Sequence, residues 1–347
     1  MTSNEGIGIE GRPQCYFCNS AGVTLYSDLR DRLFDAPGTW NILSCRNCGL
    51  IWLDPQPIPN EIYKIYRKYF THQTTPTGSS PRLAELRANL GEAVLSEYYG
   101  YRRNKEHVTV GALWKSLCRL SGVRDIFSFQ MMGLKAAWRG RLLDVGCGDG
   151  AFLARMKSLG WEVFGVELDE KAATVAKTQF GVDVFIGTLE AAGFAEESFD
   201  AITLSHVIEH VGDPIELLCR CRNLLRKGGR VVVTTPNAEC LGHRIFREHW
   251  RGLEVPRHSM VFSLNTLAQL ASKAGLSTGA LRTSARGAHA FYLESRLLKA
   301  GRWTDNPWPR SGKRLKMESV FFQILEEVAR MTRKSLGEEL YFEGIKE

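Results

Sequence analysis

Residues 142–153 read "LLDVGCGDGAFL", an apolar run that ends in three alternating glycines and passes directly into a helical pattern. A short apolar run of this kind is a buried strand, and glycines straight after it let the backbone turn tightly and approach a ligand. The helix that starts near Asp149 offers unpaired N–H groups to an electronegative partner. The next strand, "EVFGVE", ends on Glu167, where a carboxylate accepts both hydroxyls of a ribose. A nucleoside-bearing cofactor follows. Gly146, Gly148 and Ala151 also satisfy the dinucleotide pattern G-x-G-x-x-A, so on those residues alone a nicotinamide oxidoreductase stays open. Asp144 weighs against it, because a carboxylate at this turn suits a cationic ammonium group and repels a pyrophosphate.

Working outward, "VDVFIG", "DAITLS" and "RVVVTTP" continue the alternation of strand and helix that predicts a parallel sheet covered on both faces. "FSLNTLAQLASKAG" predicts a helix capped by Ser263 or Asn265 and ended by Gly275. Val320, Phe321, Ile324, Leu325 and Val328 form one apolar helical stripe, and "LYFEGI" closes the chain as a strand. The predicted divisions are a small cysteine module over 1–58, a helical connector or cap over 59–138 with breaks at Gly91, Gly100 and Gly122, and the main domain over 139–347.

With 44% hydrophobic and 24% charged residues, the chain has the composition of a globular protein and not of a disordered one. A formal charge of +7 spread over 347 residues gives nucleic acid no special weight. There is no apolar run long enough to span a membrane and no secretory pattern at "MTSNEGIGIE", so a cytoplasmic location is expected. Four of the nine cysteines form two Cys-x-x-Cys pairs, Cys15/Cys18 and Cys45/Cys48. Four soft ligands fit a closed tetrahedral zinc site, which is structural and not catalytic. Coincidental pairs or a redox dithiol are the alternatives. Cys118, Cys147, Cys219, Cys221 and Cys240 are expected to be free thiols.

The ordered set "LLDVGCGDG", "GVELD", "FDAITLSHVIEHVGDP", "GGRVVVTTPN" and "PRHSMVFSLNTLAQLASKAG" strongly resembles the class I S-adenosylmethionine-dependent methyltransferases, from about Arg141 to Gly275. The resemblance implies a doubly wound, Rossmann-like α/β fold with a mostly parallel seven-stranded sheet. It also implies that Asp144, Gly146 and Gly148 wrap the methionine end of S-adenosylmethionine, that Glu167 holds the ribose, and that Leu168 and Leu189 sandwich the adenine. Thr188 or Glu190 would reach the adenine edge, and Ser205 joins the cofactor-binding set. Where the family often has an acidic residue after the third strand's glycine, this chain reads "GTLEA". The cysteine pairs with "YKIYRKYFTH" and "HWRGLEVPRH" resemble a bacterial subgroup with an N-terminal zinc-binding region, often associated with sugar or cell-surface glycan modification. The acceptor that this implies is a small molecule or glycan, with a sugar hydroxyl as the methylated group. Zinc-ribbon enzymes that methylate RNA are the rival, but no aromatic and basic single-strand platform is evident here, so nucleic acid is not expected. A non-catalytic cofactor-binding module is the remaining alternative, and the intact Asp144, Gly146, Glu167 and histidines speak against it.

"SHVIEHVGDP", residues 205–214, follows the fourth strand and therefore sits at the carboxyl edge of the sheet. If helical, it presents His206, Glu209 and His210 on one face. A hydroxyl acceptor must lose a proton, and histidine titrates in the right range. His210 is the expected base, with His206 lining the cofactor and able to substitute. Small-RNA 2′-O-methyltransferases resemble this stretch and hold a divalent ion with Glu-x-x-Glu-His and a distant histidine; here Glu209, His210 and His258 match, and His206 replaces the first glutamate. A third role is bracing of the following loop. Trp250, Arg257 and His258 in "FREHWRGLEVPRHSM" are the expected acceptor contacts, Arg257 through an anionic group on the substrate or, alternatively, as the partner of a surface acid.

Overall fold

The computed structural model describes residues 2–66, 90–101, 129–304 and 307–347. Most of the connector expected over 59–138 lies outside these residues, as do Cys118 and Gly122. Its described parts are 3-10 turns at Pro59–Tyr66, Phe129–Met131 and Ala136–Trp138, with a helical turn pattern over 90–97.

The N-terminal module is built on strands β1 (Thr2–Asn4), β2 (Ile7–Glu10), β3 (Val23–Leu29), β4 (Trp40–Ser44), β5 (Ile51–Asp54) and β6 (Gln56–Pro57). β1, β2 and β6 form one small sheet, and β3, β4 and β5 form another. The main sheet contains β7 (Arg141–Val145), β8 (Glu162–Glu167), β9 (Phe185–Ile186), β10 (Phe199–Ser205) and β11 (Leu225–Pro236). The short β12 (Met260–Val261) precedes β13 (Ser277–Ser284) and β14 (Glu339–Ile345). The seven strands run in the order β13-β14-β11-β10-β7-β8-β9. β11, β10, β7, β8 and β9 are mutually parallel, while β14 lies antiparallel to both β11 and β13. The seven-stranded, mostly parallel sheet expected from the resemblance is therefore present.

Local rules account for the crossovers. Asp169 caps the helix Glu170–Phe180 by accepting from Lys171 N and Ala172 N. Asp213 caps Pro214–Leu224, with proline in the first turn where its missing N–H costs nothing. Ser263 and Thr266 form the capping box of Leu264–Lys273, and Gly275 follows it at φ +71°, as expected from the sequence. Strand order reverses between β7 and β10, so the loops after these two strands open the crevice in which doubly wound sheets bind ligands.

The cysteine module is not an isolated bead. β12 pairs antiparallel with β5 and so adds a strand from the main domain to the module's sheet. One buried cluster runs through both parts, joining Cys15, Leu50 and Trp52 to Ile208, Met260 and Phe262.

Candidate active site

Gly146 and Gly148 follow β7 at φ +69° and +55°, backbone that a side chain strains. A Cβ on Gly146 would come within 2.6 Å of Val207 Cγ2, so the glycine turn presses against the "SHVIEHVGDP" segment. A Cβ on Gly148 would meet nothing within 4 Å, which leaves an open cradle at the same turn. Asp144 is 4% exposed and accepts a 2.6 Å hydrogen bond from Thr203 Oγ1 on the neighbouring strand. Burial, reinforced by the charge of Glu167 and only partly offset by Thr203, pushes its carboxyl up to about 7.

Glu167 accepts from Gly148 N at 2.8 Å and from Asp169 N at 2.9 Å, which ties the end of β8 to the glycine turn. Each carboxylate oxygen retains acceptor capacity beyond these bonds. Leu168, next along, is 72% exposed, a large apolar side chain standing free beside the cradle. Gly187 N bonds to Glu167 O at 2.9 Å and brings Thr188 and Leu189 to the same edge. Leu189 is packed into the core, and Glu190 pairs with Arg220 at 3.0 Å. Of the two leucines expected to sandwich an adenine, only Leu168 offers an open surface here. Ser205 ends β10 and accepts from Thr234 Oγ1 at 3.3 Å.

Residues 206–210 form a bend and a turn rather than a helix. His206 takes φ +55°, and His210 N bonds back to Val207 O at 3.0 Å, so the shared helical face does not form. The polar groups divide instead. His206 lies between Glu209 (Nδ1 to Oε1, 3.2 Å) and Glu339 (Nε2 to Oε1, 3.0 Å). Burial disfavours its charge, but the two carboxylates outweigh that and raise it to about 10. Such an imidazolium is held as a cation and is a poor proton acceptor. Glu209 is fully buried and also accepts from Thr235 Oγ1 at 3.0 Å. Burial would raise its carboxyl, but the bond and charge of His206 prevail and hold it at about 2.

His210 points the other way. Its Nδ1 lies 3.2 Å from Arg257 O and 2.9 Å from Tyr66 Oη. A carbonyl only accepts, so Nδ1–H is the donor and Nε2 carries the free lone pair. His258 packs edge-on against it, ring centroids 4.6 Å apart. The Nδ1–H of His258 donates to Gly252 O at 2.8 Å, and burial, with the charge of His210 adding, lowers this imidazole to about 4. Ligand atoms of Glu209, His210 and His258 lie within 4.8 Å of one another.

The loop contacts expected for the acceptor are already engaged. Arg257 is 1% exposed and forms a bidentate pair with Asp31 of the N-terminal module (2.7 and 2.8 Å). Trp250 is 2% exposed and donates to Glu338 Oε1 at 2.6 Å. Neither side chain presents itself to a substrate. Arg257 acts through its backbone carbonyl on His210, and its guanidinium anchors the loop to a buried acid, not a surface one.

The two cysteine loops are near copies. Asn19 N bonds to Cys15 O at 3.0 Å and Gly49 N to Cys45 O at 2.9 Å, with Asn19 and Gly49 both at positive φ. Cys15 Sγ lies 3.4 Å from Cys48 Sγ, and Cys18 Sγ lies 3.4 Å from Cys45 Sγ. All four sulfurs lie within 4.8 Å of one another, the donor set and spacing of a tetrahedral soft-metal site.

Tyr66, Asp31, Thr203 and Glu339 contribute to this site without having been singled out in the sequence. Tyr66 and Asp31 are remote in sequence from the residues they touch, and no local pattern reveals such contacts.

A doubly wound sheet with this glycine turn, the buried Asp144 and Glu167 at the end of β8 is the arrangement of a class I S-adenosylmethionine-dependent methyltransferase domain. Residues 123–279 match the family model described as a methyltransferase domain, and the chain carries such a domain. It is 39% identical over 102 residues to a ubiquinone biosynthesis O-methyltransferase of Cereibacter sphaeroides, a match covering 28% of this chain and 41% of that protein. A protein of the same description from Roseobacter denitrificans is also 39% identical over 102 residues, again 28% and 41% of the two chains. The chain thus matches about two fifths of the length of these relatives. Among solved structures, a SAM-dependent methyltransferase from Archaeoglobus fulgidus aligns at TM-score 0.40 and 20% identity over 60% of this chain and 86% of that one.

Proposed function

We propose that the protein transfers the methyl group of S-adenosylmethionine to a hydroxyl of a small acceptor, with His210 as the base. S-Adenosylmethionine supplies an electrophilic methyl on a sulfonium. Asp144 would face its cationic amino-acid end, Gly146 and Gly148 would let the backbone close on it, and Glu167 would accept from the ribose. Leu168 would cover one face of the adenine, with Thr188, Leu189 and Ser205 lining the remainder. His210 would hold the acceptor hydroxyl at Nε2 and take its proton as the oxygen attacks; Tyr66 and Arg257 O fix the ring. His206 would act as a fixed positive charge, and His258 as a neutral ring against which His210 packs. Cys15, Cys18, Cys45 and Cys48 would hold a structural zinc.

The observation that supports the assignment is the 3.2 Å approach of His210 Nδ1 to the Arg257 carbonyl, on the turn that abuts the glycines. The relatives' names support O-methylation. They lend nothing to the sugar hydroxyl expected from the sequence, so an acceptor screen with labelled cofactor should include hydroxylated quinone-type rings beside nucleotide sugars and glycan lipids. The decisive variant is His210→Ala. Turnover should fall by roughly 10²- to 10⁴-fold while S-adenosylhomocysteine binding and folding persist. Near-normal turnover in a folded variant would refute the role.

A second reading has one observation in its favour, the approach of Glu209, His210 and His258 to within 4.8 Å. Under it, a chelator would abolish activity reversibly, and alanine at each of the three positions would give similar, non-additive losses. Retention of full activity in chelator with the cysteine zinc still bound removes this reading.

A further inference from the structure

Outside the site already described, a second group of ionisable side chains meets in the interior. Cys240 Sγ and an oxygen from each of Glu326 and Glu338 lie within 4.8 Å of one another, and all three residues are fully buried. They come from three elements: Cys240 caps the helix Leu241–Phe246, Glu326 lies on the C-terminal helix Lys313–Thr332, and Glu338 immediately precedes β14. Among the described residues, Glu326 Oε2 and Glu338 Oε2 have no hydrogen-bond partner. Buried polar atoms are rarely left unpaired, and two of them beside one thiol call for a ligand. Each of the three groups also receives one N–H. Trp250 Nε1 donates to Glu338 Oε1 at 2.6 Å, Leu241 N to Glu326 Oε1 at 3.2 Å and His243 N to Cys240 Sγ at 3.2 Å. Donors of this kind orient and stabilise anionic ligands around a metal.

We infer that Cys240, Glu326 and Glu338 form a divalent cation site of the zinc class, separate from the four-cysteine module. The donor set selects the ion: a thiolate disfavours magnesium and calcium, while one sulfur with two carboxylate oxygens suits zinc or cobalt. With zinc–sulfur and zinc–oxygen bonds of about 2.3 and about 2.0 Å, the sulfur and oxygen ligands of a tetrahedral site stand about 3.5 Å apart. Cys240 Sγ already lies 3.6 Å from Glu338 Oε1. The bound cation fastens the C-terminal helix and the start of β14 to the loop after β11, and Glu339, the next residue along, is the one that holds His206. Burial raises both carboxyls and the thiol above their ordinary values, so an entering cation must displace protons. The site therefore fills after the cysteine module and leaves the zinc content of protein purified at neutral pH at one per chain.

Cobalt(II) tests this on the full chain with its module zinc bound, because cobalt binds such ligands more weakly than zinc and leaves the module loaded. Titration should add one cobalt per chain with a thiolate-to-cobalt charge-transfer band in the near ultraviolet and an unchanged zinc content. Cys240→Ser should abolish the band while the module keeps its zinc. Glu326→Gln keeps the size of the side chain and an oxygen for Leu241 N, and should weaken cobalt binding at least about 10-fold. It carries the test if the serine variant fails to fold. Cobalt uptake without the thiolate band places the ion elsewhere, for instance on Glu209, His210 and His258, and overturns the inference. So does a wild-type chain that takes up no cobalt, and so does binding indifferent to both substitutions.

Discussion

The proposed placement of Asp144 beside the cofactor makes binding depend on pH in a way that can be worked out beforehand. Its carboxyl is raised to about 7, first by burial and then by the neighbouring charge of Glu167. A cationic cofactor end placed beside it favours the ionised form, so binding should expel the proton. Affinity then climbs with pH until Asp144 is already ionised in the free protein, and levels off above about pH 8. With a half-ionisation point near 7, only about 1% of free protein is ionised at pH 5. The affinity for S-adenosylhomocysteine should therefore fall about 100-fold between pH 8 and pH 5, about 3 kcal/mol. Calorimetric titrations at pH 5, 6, 7 and 8 give the curve. Titrations at pH 6 in two buffers of different ionisation enthalpy should count close to one proton released per ligand bound. Asp144→Asn should lose both the slope and the proton. A flat affinity profile in the native protein, or the same slope in the variant, would refute the placement of this carboxylate against a cation.

Other expectations follow from the same geometry. Under the proposed ribose contact, Glu167→Ala removes acceptors for two hydroxyls and should weaken S-adenosylhomocysteine binding by roughly 1.5–3 kcal/mol, measured by calorimetry. The purified protein should contain one zinc per chain, and Cys45→Ser should release it and loosen the N-terminal module, as read by metal analysis and limited proteolysis. His258 is held neutral to about pH 4, whereas an unfolded chain protonates its histidine near 6.5, so the unfolded state gains protons first as the medium is acidified. Urea unfolding should show stability declining between pH 6.5 and 4 by up to about 3 kcal/mol from this residue, and His258→Gln should reduce that decline.

The parts of the fold that obey local rules were legible in the sequence. The strand ending in Asp144 and Val145, the glycine turn, Glu167 at the end of the next strand and the Ser263 cap all lie where periodicity and turn chemistry put them. The "SHVIEHVGDP" stretch was not legible in the same way. Its i, i+3, i+4 spacing suggested one helical face, but the positive φ of His206 turns the chain and sends the two histidines in different directions. His206 then meets Glu339, a residue from the last strand, and no local pattern predicts that encounter. Arg257 was misleading for a related reason. An arginine in an aromatic loop suggests an anionic substrate, while its true partner, Asp31, lies in the cysteine module. Long-range pairing decided both cases, and long-range pairing is what periodicity does not encode.

That pairing also changes what the cysteine module does. Tyr66 reaches His210, Asp31 holds Arg257, and Gln56 Nε2 donates to Ser259 O at 3.3 Å, so one wall of the site comes from the N-terminal residues. Leu53 N donates to Ser259 O at 3.0 Å, next to His258, and Asn265 Nδ2 donates to Cys48 O at 3.3 Å, which connects a cysteine loop to the helix Leu264–Lys273. Among the described residues, by contrast, the hydrogen bonds of Asp144, Gly146, Gly148 and Glu167 run to β8, Asp169, Gly187 and β10, not to the module. Removing the metal should therefore separate two properties that a single compact domain would lose together. Under the proposed roles, acceptor turnover would depend on a His210 ring held from the module side, whereas S-adenosylhomocysteine binding would depend on the glycine turn, Asp144 and Glu167. A metal that never touches substrate would in this way govern the chemistry through the position of one imidazole.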